Sequence, residues 1–217
     1  MPRDSRRRSS RRGRRDKRDY KSAAERRSEI IAATLSLLAA EGLPGWTTAA
    51  LASRVGASEA MLFKHFRTKD EILRTALRQL GERMIDRLAA YAPTPGGDAW
   101  RGCEGLILTI LDFVEETGGG PFIILVAGQL SPSIRRIAQR AMRSFRDRIV
   151  GFCALDTRSR AAGATPEVIG DLAMAIVQSS VLRWLLGETR RTPREIAQPM
   201  LDQIGRFLRG RRATVRG

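Results

Sequence analysis

Three times in this chain of 217 residues a serine or threonine is followed three positions later by glutamate: Ser22 with Glu25, Thr68 with Glu71 and Thr192 with Glu195. Each pair stands before apolar residues that recur at three- and four-residue spacing. Such a pair marks a helix start, because hydroxyl and carboxylate can satisfy backbone N–H groups that have no partner in the first turn. After Ser22 the apolar set is Ile30, Ile31, Leu35, Leu37 and Leu38; after Thr68 it is Ile72, Leu73, Leu77, Leu80, Met84, Ile85 and Leu88. Further starts are read at Thr47-Thr48, Ser58, Ser131-Pro132 and Thr165-Pro166, where proline in the first turn forfeits no hydrogen bond. No segment sustains the two-residue alternation of a strand between hairpin turns. The expectation is an all-α chain of about nine helices.

Glycine and proline punctuate the pattern. Gly42, Pro44 and Gly45 end the first helix, Gly56 separates two short ones over about 47–54 and 58–65, and the run at 92–97 (APTPGG) is the best domain boundary. Helices are then expected over 98–116, 121–130, 131–154, from 165 to 187, and from 192 onward, with Gly118-Gly119-Gly120 read as a linker. Four parts result: a basic tail at 1–21, a three-helix unit at 22–68, a helical body at 69–210 whose first helix (69–91) connects the two, and a basic tail at 211–217.

Charge is concentrated at the ends. Of the formal net charge of +16, residues 1–21 supply +8 and residues 206–217 supply +5, which leaves +3 on everything between. The N-terminal stretch is rich in Arg, Ser and Asp and has no aliphatic residue beyond Met1, so it cannot bury a core and is expected to be disordered when free. Cationic tails suit polyanions, although solubility alone would also account for them. The N-terminus lacks the apolar core of a secretory signal, and no apolar run reaches the roughly 18–20 residues of a membrane span, so a cytoplasmic protein without a membrane partner is expected.

Catalytic and metal-binding classes find little support. His65 is the only histidine, and Cys103 and Cys153 lie far apart in helical patterns, where buried structural thiols are the expectation rather than a disulfide or a zinc site. There is no nucleophile beside a base, no phosphate-cradling glycine loop and no convergent carboxylate cluster. Asp112, Glu115 and Glu116 read as a solvated helix end. No enzyme, metal or cofactor is expected.

The segment 47–66, TTAALASRVGASEAMLFKHF, is the most informative. Leu51 and Val55 on one short helix and Leu62 and Phe66 on the next fall on inward faces, with small Ala52 allowing a close crossing. That leaves Glu59, Ala60, Phe63 and Lys64 on the outer face of the second helix. A helix presented in this way fits a DNA major groove. By itself, helix–glycine–helix fits a generic helical hairpin equally well.

Residues 26–76 resemble the DNA-binding domain of the TetR/AcrR family of bacterial regulators. The resemblance rests on Ile31-Ala32, Gly42, Thr47-Thr48, Leu51-Ala52, Gly56, Ser58, Phe63, His65, Phe66, Lys69 and Leu73 in register, over about a quarter of the chain. It implies a DNA-binding transcription regulator that acts as a homodimeric repressor on a palindromic operator in the nucleoid. The alternative is a nucleoid-associated protein acting at many chromosomal sites. The implied DNA-contacting residues are Thr47, Thr48, Ser58, Glu59, Ala60, Phe63, Lys64, His65 and Lys69. Two positions depart from the family pattern: Phe63 stands where tyrosine is usual, and Ala60 where glycine is common. The implied dimer contacts fall on the last two helices, at Ile169, Ile176, Val177, Val181, Trp184, Met200, Leu201, Ile204 and Phe207. A small hydrophobic effector would sit among Trp100, Leu108, Phe113, Phe122, Leu125, Phe145, Ile149 and Met174.

Overall fold

The computed structural model describes residues 22–91, 99–127, 131–154 and 165–210. Both basic tails and the expected boundary at 92–97 lie outside the described residues. Nine helices and no strand occur among the described residues: α1 (Ala23–Gly45), α2 (Thr48–Val55), α3 (Glu59–His65), α4 (Lys69–Ala90), α5 (Ala99–Glu116), α6 (Gly120–Ala127), α7 (Pro132–Ala154), α8 (Pro166–Leu185) and α9 (Pro193–Gly210).

The caps follow from the sequence signals. Ser22 Oγ accepts from the Glu25 amide at 3.2 Å, and Glu25 accepts from the Ser22 amide at 2.6 Å. Thr192 and Glu195 make the same reciprocal pair. At α4, Thr68 Oγ1 accepts from the Glu71 amide, but Glu71 reaches back to the Arg67 amide, one residue beyond the usual partner. Within the helical run of α1, Gly42 adopts φ 66, so the regular helix breaks where the sequence places its end.

The helices share one continuous core. α1 packs on α2, α3, α4 and α6, while α7 packs on α4, α5, α6 and α8. Ile30, Leu37, Leu38, Trp46, Leu51, Leu62, Phe66 and Ile72 close the N-terminal part; Cys103, Ile107, Leu111, Phe145 and Ile149 are among those closing the remainder. Cys103 and Cys153 are both buried, with Sγ atoms 3.2 Å apart and not joined. Between α4 and α5, Arg87 donates two hydrogen bonds to the Glu116 carboxylate, at 2.9 and 2.6 Å. The hydrogen bond from Arg87 holds the Glu116 pKa below the usual carboxylate value. Its small stabilisation is therefore present above the ordinary carboxylate pKa and disappears as pH falls through the lowered value.

Two sequence expectations are changed by the structure. The glycines at 118–120 do link α5 to α6, as expected, but as an ordered turn. Gly118 and Gly119 have φ of 78 and 71, and their amides bond back to Glu115 and Val114, ending α5 in a tight turn. A Cβ on Gly120 would stand 2.5 Å from the Leu38 carbonyl oxygen, so the turn is pressed against the α1 backbone. The second concerns α8, whose 20 residues are long and apolar enough by composition to cross a membrane, with mean hydropathy 1.3. Its inner side packs on α5, α7 and α9, which accounts for much of that apolarity as core.

Two glycines are required for different reasons, and alanine substitution separates them. At Gly56 there is open space for a Cβ but φ is 68, so Gly56→Ala meets backbone strain alone, about 1–2 kcal/mol. At Gly120 the added methyl collides with backbone, so Gly120→Ala forces α1 and α6 apart at about 1–3 kcal/mol. Thermal unfolding should show a lower Tm for both, and hydrogen exchange should show loosening of α6 only in Gly120→Ala.

Candidate nucleic-acid interface

α2 ends in a turn that only a left-handed residue closes well. The Gly56 amide bonds to the Ser53 carbonyl at 3.1 Å and the Ala57 amide to the Ala52 carbonyl at 2.9 Å, with Gly56 at φ 68, ψ 39. This pair of bonds satisfies the last carbonyls of α2 and turns the chain sharply into α3. Ser58 then caps α3, accepting from the Met61 amide at 3.3 Å.

α3 is held by its inner side. Leu62 is fully buried and Phe66, just past its end, is 2% exposed. Arg27 on α1 secures the far end: its guanidinium donates to the His65 carbonyl, stacks 4.0 Å above the Phe66 ring and lies 3.6 Å from Glu71. That carbonyl belongs to the last turn of α3, where no backbone partner remains, so one side chain from α1 fixes where α3 stops and α4 begins. Sequence reading gave Arg27 no individual role, because its partners lie about 40 residues away.

The predicted DNA-contacting residues are exposed or half-buried, and none is in the core. Thr47, Ser58, Glu59, Ala60, Phe63, Lys64 and Lys69 are exposed, while Thr48 and His65 are half-buried. Phe63 is 44% exposed, unusual for a phenylalanine and costly unless something covers it. Thr47 and Ser58 accept backbone N–H bonds as caps, which leaves each hydroxyl proton available to donate to an acceptor such as a phosphate oxygen. Lys69 opens α4, where the positive helix end already favours an anion. Its ammonium lies over the ring of buried Trp46, 4.8 Å from the ring centre, a cation–π contact that holds the side chain in place. Trp46 is a second residue the sequence did not single out; its position beside the Gly42–Gly45 break is the one local signal for it.

The predicted dimer and effector residues fall differently. Ile169, Ile176, Val177, Val181 and Leu201 are buried within the single chain, Trp184, Met200 and Ile204 are half-buried, and Phe207 is exposed. The exposed apolar residues of α8 and its end are instead Val168, Leu172, Leu182, Leu185 and Leu186. Of the expected effector residues, Trp100, Phe113, Phe122, Phe145 and Ile149 are buried, Leu108 and Met174 are half-buried, and Leu125 lies outside the residues whose side chains are described.

Comparison with known proteins agrees with this geometry. Residues 30–83 match the family model for bacterial regulatory proteins of the tetR family. A nucleoid occlusion factor, SlmA, from Marinomonas sp. is 28% identical over 182 residues, covering 79% of this chain and 89% of that protein. Among solved structures, a TetR-family transcriptional regulator from Agrobacterium tumefaciens aligns with a TM-score of 0.68 at 17% identity, covering 84% of this chain and 98% of that one. A transcriptional regulator from Saccharomonospora viridis in complex with choline aligns with a TM-score of 0.64 at 18% identity, covering 84% and 96%. The solved structures share the fold, and the family match falls on α1 to α4, which include the exposed side of α3. Residues 30–83 are thus a DNA-binding domain of the tetR family, and the chain as a whole shares the fold of TetR-family transcriptional regulators.

Proposed function

We propose that this protein is a homodimeric repressor that reads a palindromic operator with the outer face of α3 and is released from it by a small effector. The observation that carries the reading is the division of α3 into an inner side buried at Leu62 and an outer side open at Glu59, Ala60, Phe63 and Lys64. In a major groove, Glu59 can accept from a cytosine amino group, and the Ala60 methyl can touch a thymine methyl. Phe63 adds apolar contact to sugar or base edges. Thr47, Thr48, Ser58, His65 and Lys69 ring that face as donors to phosphate, which sets register without reading sequence.

Two copies are required for two half-sites about one helical turn apart. The pairing face we infer is the outer stripe of α8: Val168, Leu172, Ala175, Ser179, Leu182 and Leu186. These positions recur at alternating four- and three-residue spacing and are all exposed. Leu172 at 46% and Leu182 at 50% exposure would be covered by the same stripe of a second copy, with Phe207 of α9 at its edge. The residues first expected there line the core that supports this stripe. An effector in the body would act through the Gly118–Gly120 turn, since α6 rests directly on α1 and any shift of α6 is passed to the reading head.

A second reading is favoured by one finding, the similarity to a nucleoid occlusion factor. In that reading the same head acts at many chromosomal sites. Genome-wide selection of bound fragments at physiological salt separates the two. A few compact palindromic footprints beside promoters support the repressor, and many sites spread over the chromosome support the second reading.

Lys69→Ala should weaken binding to all sequences about equally, by about tenfold or 1.4 kcal/mol, and reduce the log–log salt slope by about 0.9. Changing Glu59 or Ala60 should instead alter which sequence is preferred. Deleting residues 1–21 should flatten the salt slope by several units, at about 0.9 per phosphate neutralised, with preference unchanged. Leu172→Asp with Leu182→Asp should give a helical monomer by sedimentation and at least about a hundredfold weaker operator binding, as expected when two half-sites no longer act together. Ile176→Asp, by contrast, should unfold the body, because it places an unpaired charge in the core.

A further inference from the structure

The reading head accounts for the cations at its own tip, but not for a second concentration of arginine higher on the molecule. Between α4 and α7 lies an open groove of about 450 Å³, and five arginines line it: Arg27 from α1, Arg74 and Arg78 from α4, and Arg136 and Arg140 from α7. One carboxylate, Glu71, lines it with them. The arrangement is regular. On α4 the lining residues fall at 71, 74, 75 and 78, and on α7 at 133, 136, 137 and 140, so two helices turn matching stripes towards each other.

Charge balance within the groove is incomplete. Glu71 is 3.6 Å from Arg27, and Arg74 is 3.3 Å from Asp70 on its own helix. Arg78, Arg136 and Arg140 form no ion pair among the described residues. The first turn of α7 holds no acid, and Ser131 already caps it at 3.3 Å, so the positive end of that helix adds to the same field. Like charges turned towards one another across a concave surface repel. An anion that accepts from several guanidinium groups converts that repulsion into charge-assisted hydrogen bonds. Thr75 and Ser133 line the groove as well, the Ser133 hydroxyl sharing a hydrogen bond of 2.8 Å with Ser131.

We propose that this groove binds a compact small-molecule polyanion, one carrying two phosphates or several carboxylates. Its volume is that of a small-molecule site. Duplex DNA fits less well, because Arg78 stands nine residues beyond Lys69, about 14 Å further along α4 from the tip at 1.5 Å per residue. The groove is distinct from the apolar body residues considered for an effector and is polar where they are apolar. A ligand there would bridge α1 and α4, which carry the head, to α7 of the body.

The anion titration uses the full-length protein without DNA, so that readout does not depend on the operator reading; DNA binding is measured separately as a control. Pyrophosphate is titrated calorimetrically into the wild type and into Arg78→Ala with Arg140→Ala. Both positions are exposed, so the double variant should keep its helicity and its Tm. The expected result is saturable binding to the wild type that weakens at least tenfold in the variant, with operator affinity and its salt slope unchanged. Equal binding to both proteins would place the anion on the basic tails or the head and overturn the proposal. A variant that loses two units of DNA salt slope would identify the groove as a backbone contact and overturn it equally. To show that the loss reflects guanidinium chemistry rather than packing, Arg78→Lys with Arg140→Lys should recover part of the affinity.

Discussion

Everything at the DNA-facing end depends on how a helix of seven residues is held from one side. α3 is too short to be stable alone, since isolated helices of that length are marginal at best. Its stability comes from Leu62 and Phe66 entering the core built by α1, α2 and α4, and from Arg27, which joins the His65 carbonyl at the end of α3 to Glu71 at the start of α4. Because the inner side satisfies all that folding requires, the outer side carries none of the packing. Its residues can be chosen for a partner. An exposed phenylalanine on that side fits this division of labour better than it fits stability.

The body is joined to the head by close contact rather than by a hinge. α6 begins against the backbone of Leu38 and Ala39, and the glycines at 118–120 exist there because no side chain would fit. α4 runs from the head into the body and meets α7 along much of its length. A densely packed joint of this kind transmits displacement instead of absorbing it. The same property makes the α4–α7 groove a place where bound charge would act on both parts at once.

Local signals were legible in the sequence, and the facing direction of a helix was legible only where its apolar stripe is narrow. Ser22, Ser58, Thr68, Thr165 and Thr192 announced their helices because a cap is decided within four residues. Gly56 announced the turn for the same reason. The outer face of α3 was also legible, because Leu62 and Phe66 define the inner side of so short a helix. α8 was different. It is apolar nearly all round, so its periodicity could not say whether Ile176 or Leu172 faced the core; within the single chain Ile176 is buried and Leu172 exposed. Arg27, Trp46 and the five-arginine groove depend on residues brought together from distant helices, and no spacing along the chain encodes them.

The central claim is that the outer face of α3 enters duplex DNA, and it can be read by position. Cys103 and Cys153 are buried, so Ala60→Cys provides one accessible thiol at the start of α3 for a tethered iron chelate that cleaves nearby DNA. With the genomic fragment bound most tightly, the account predicts two clusters of cuts, offset across the major groove and separated by about one helical turn or slightly more. Even cutting along the fragment, or none while binding persists, would contradict it.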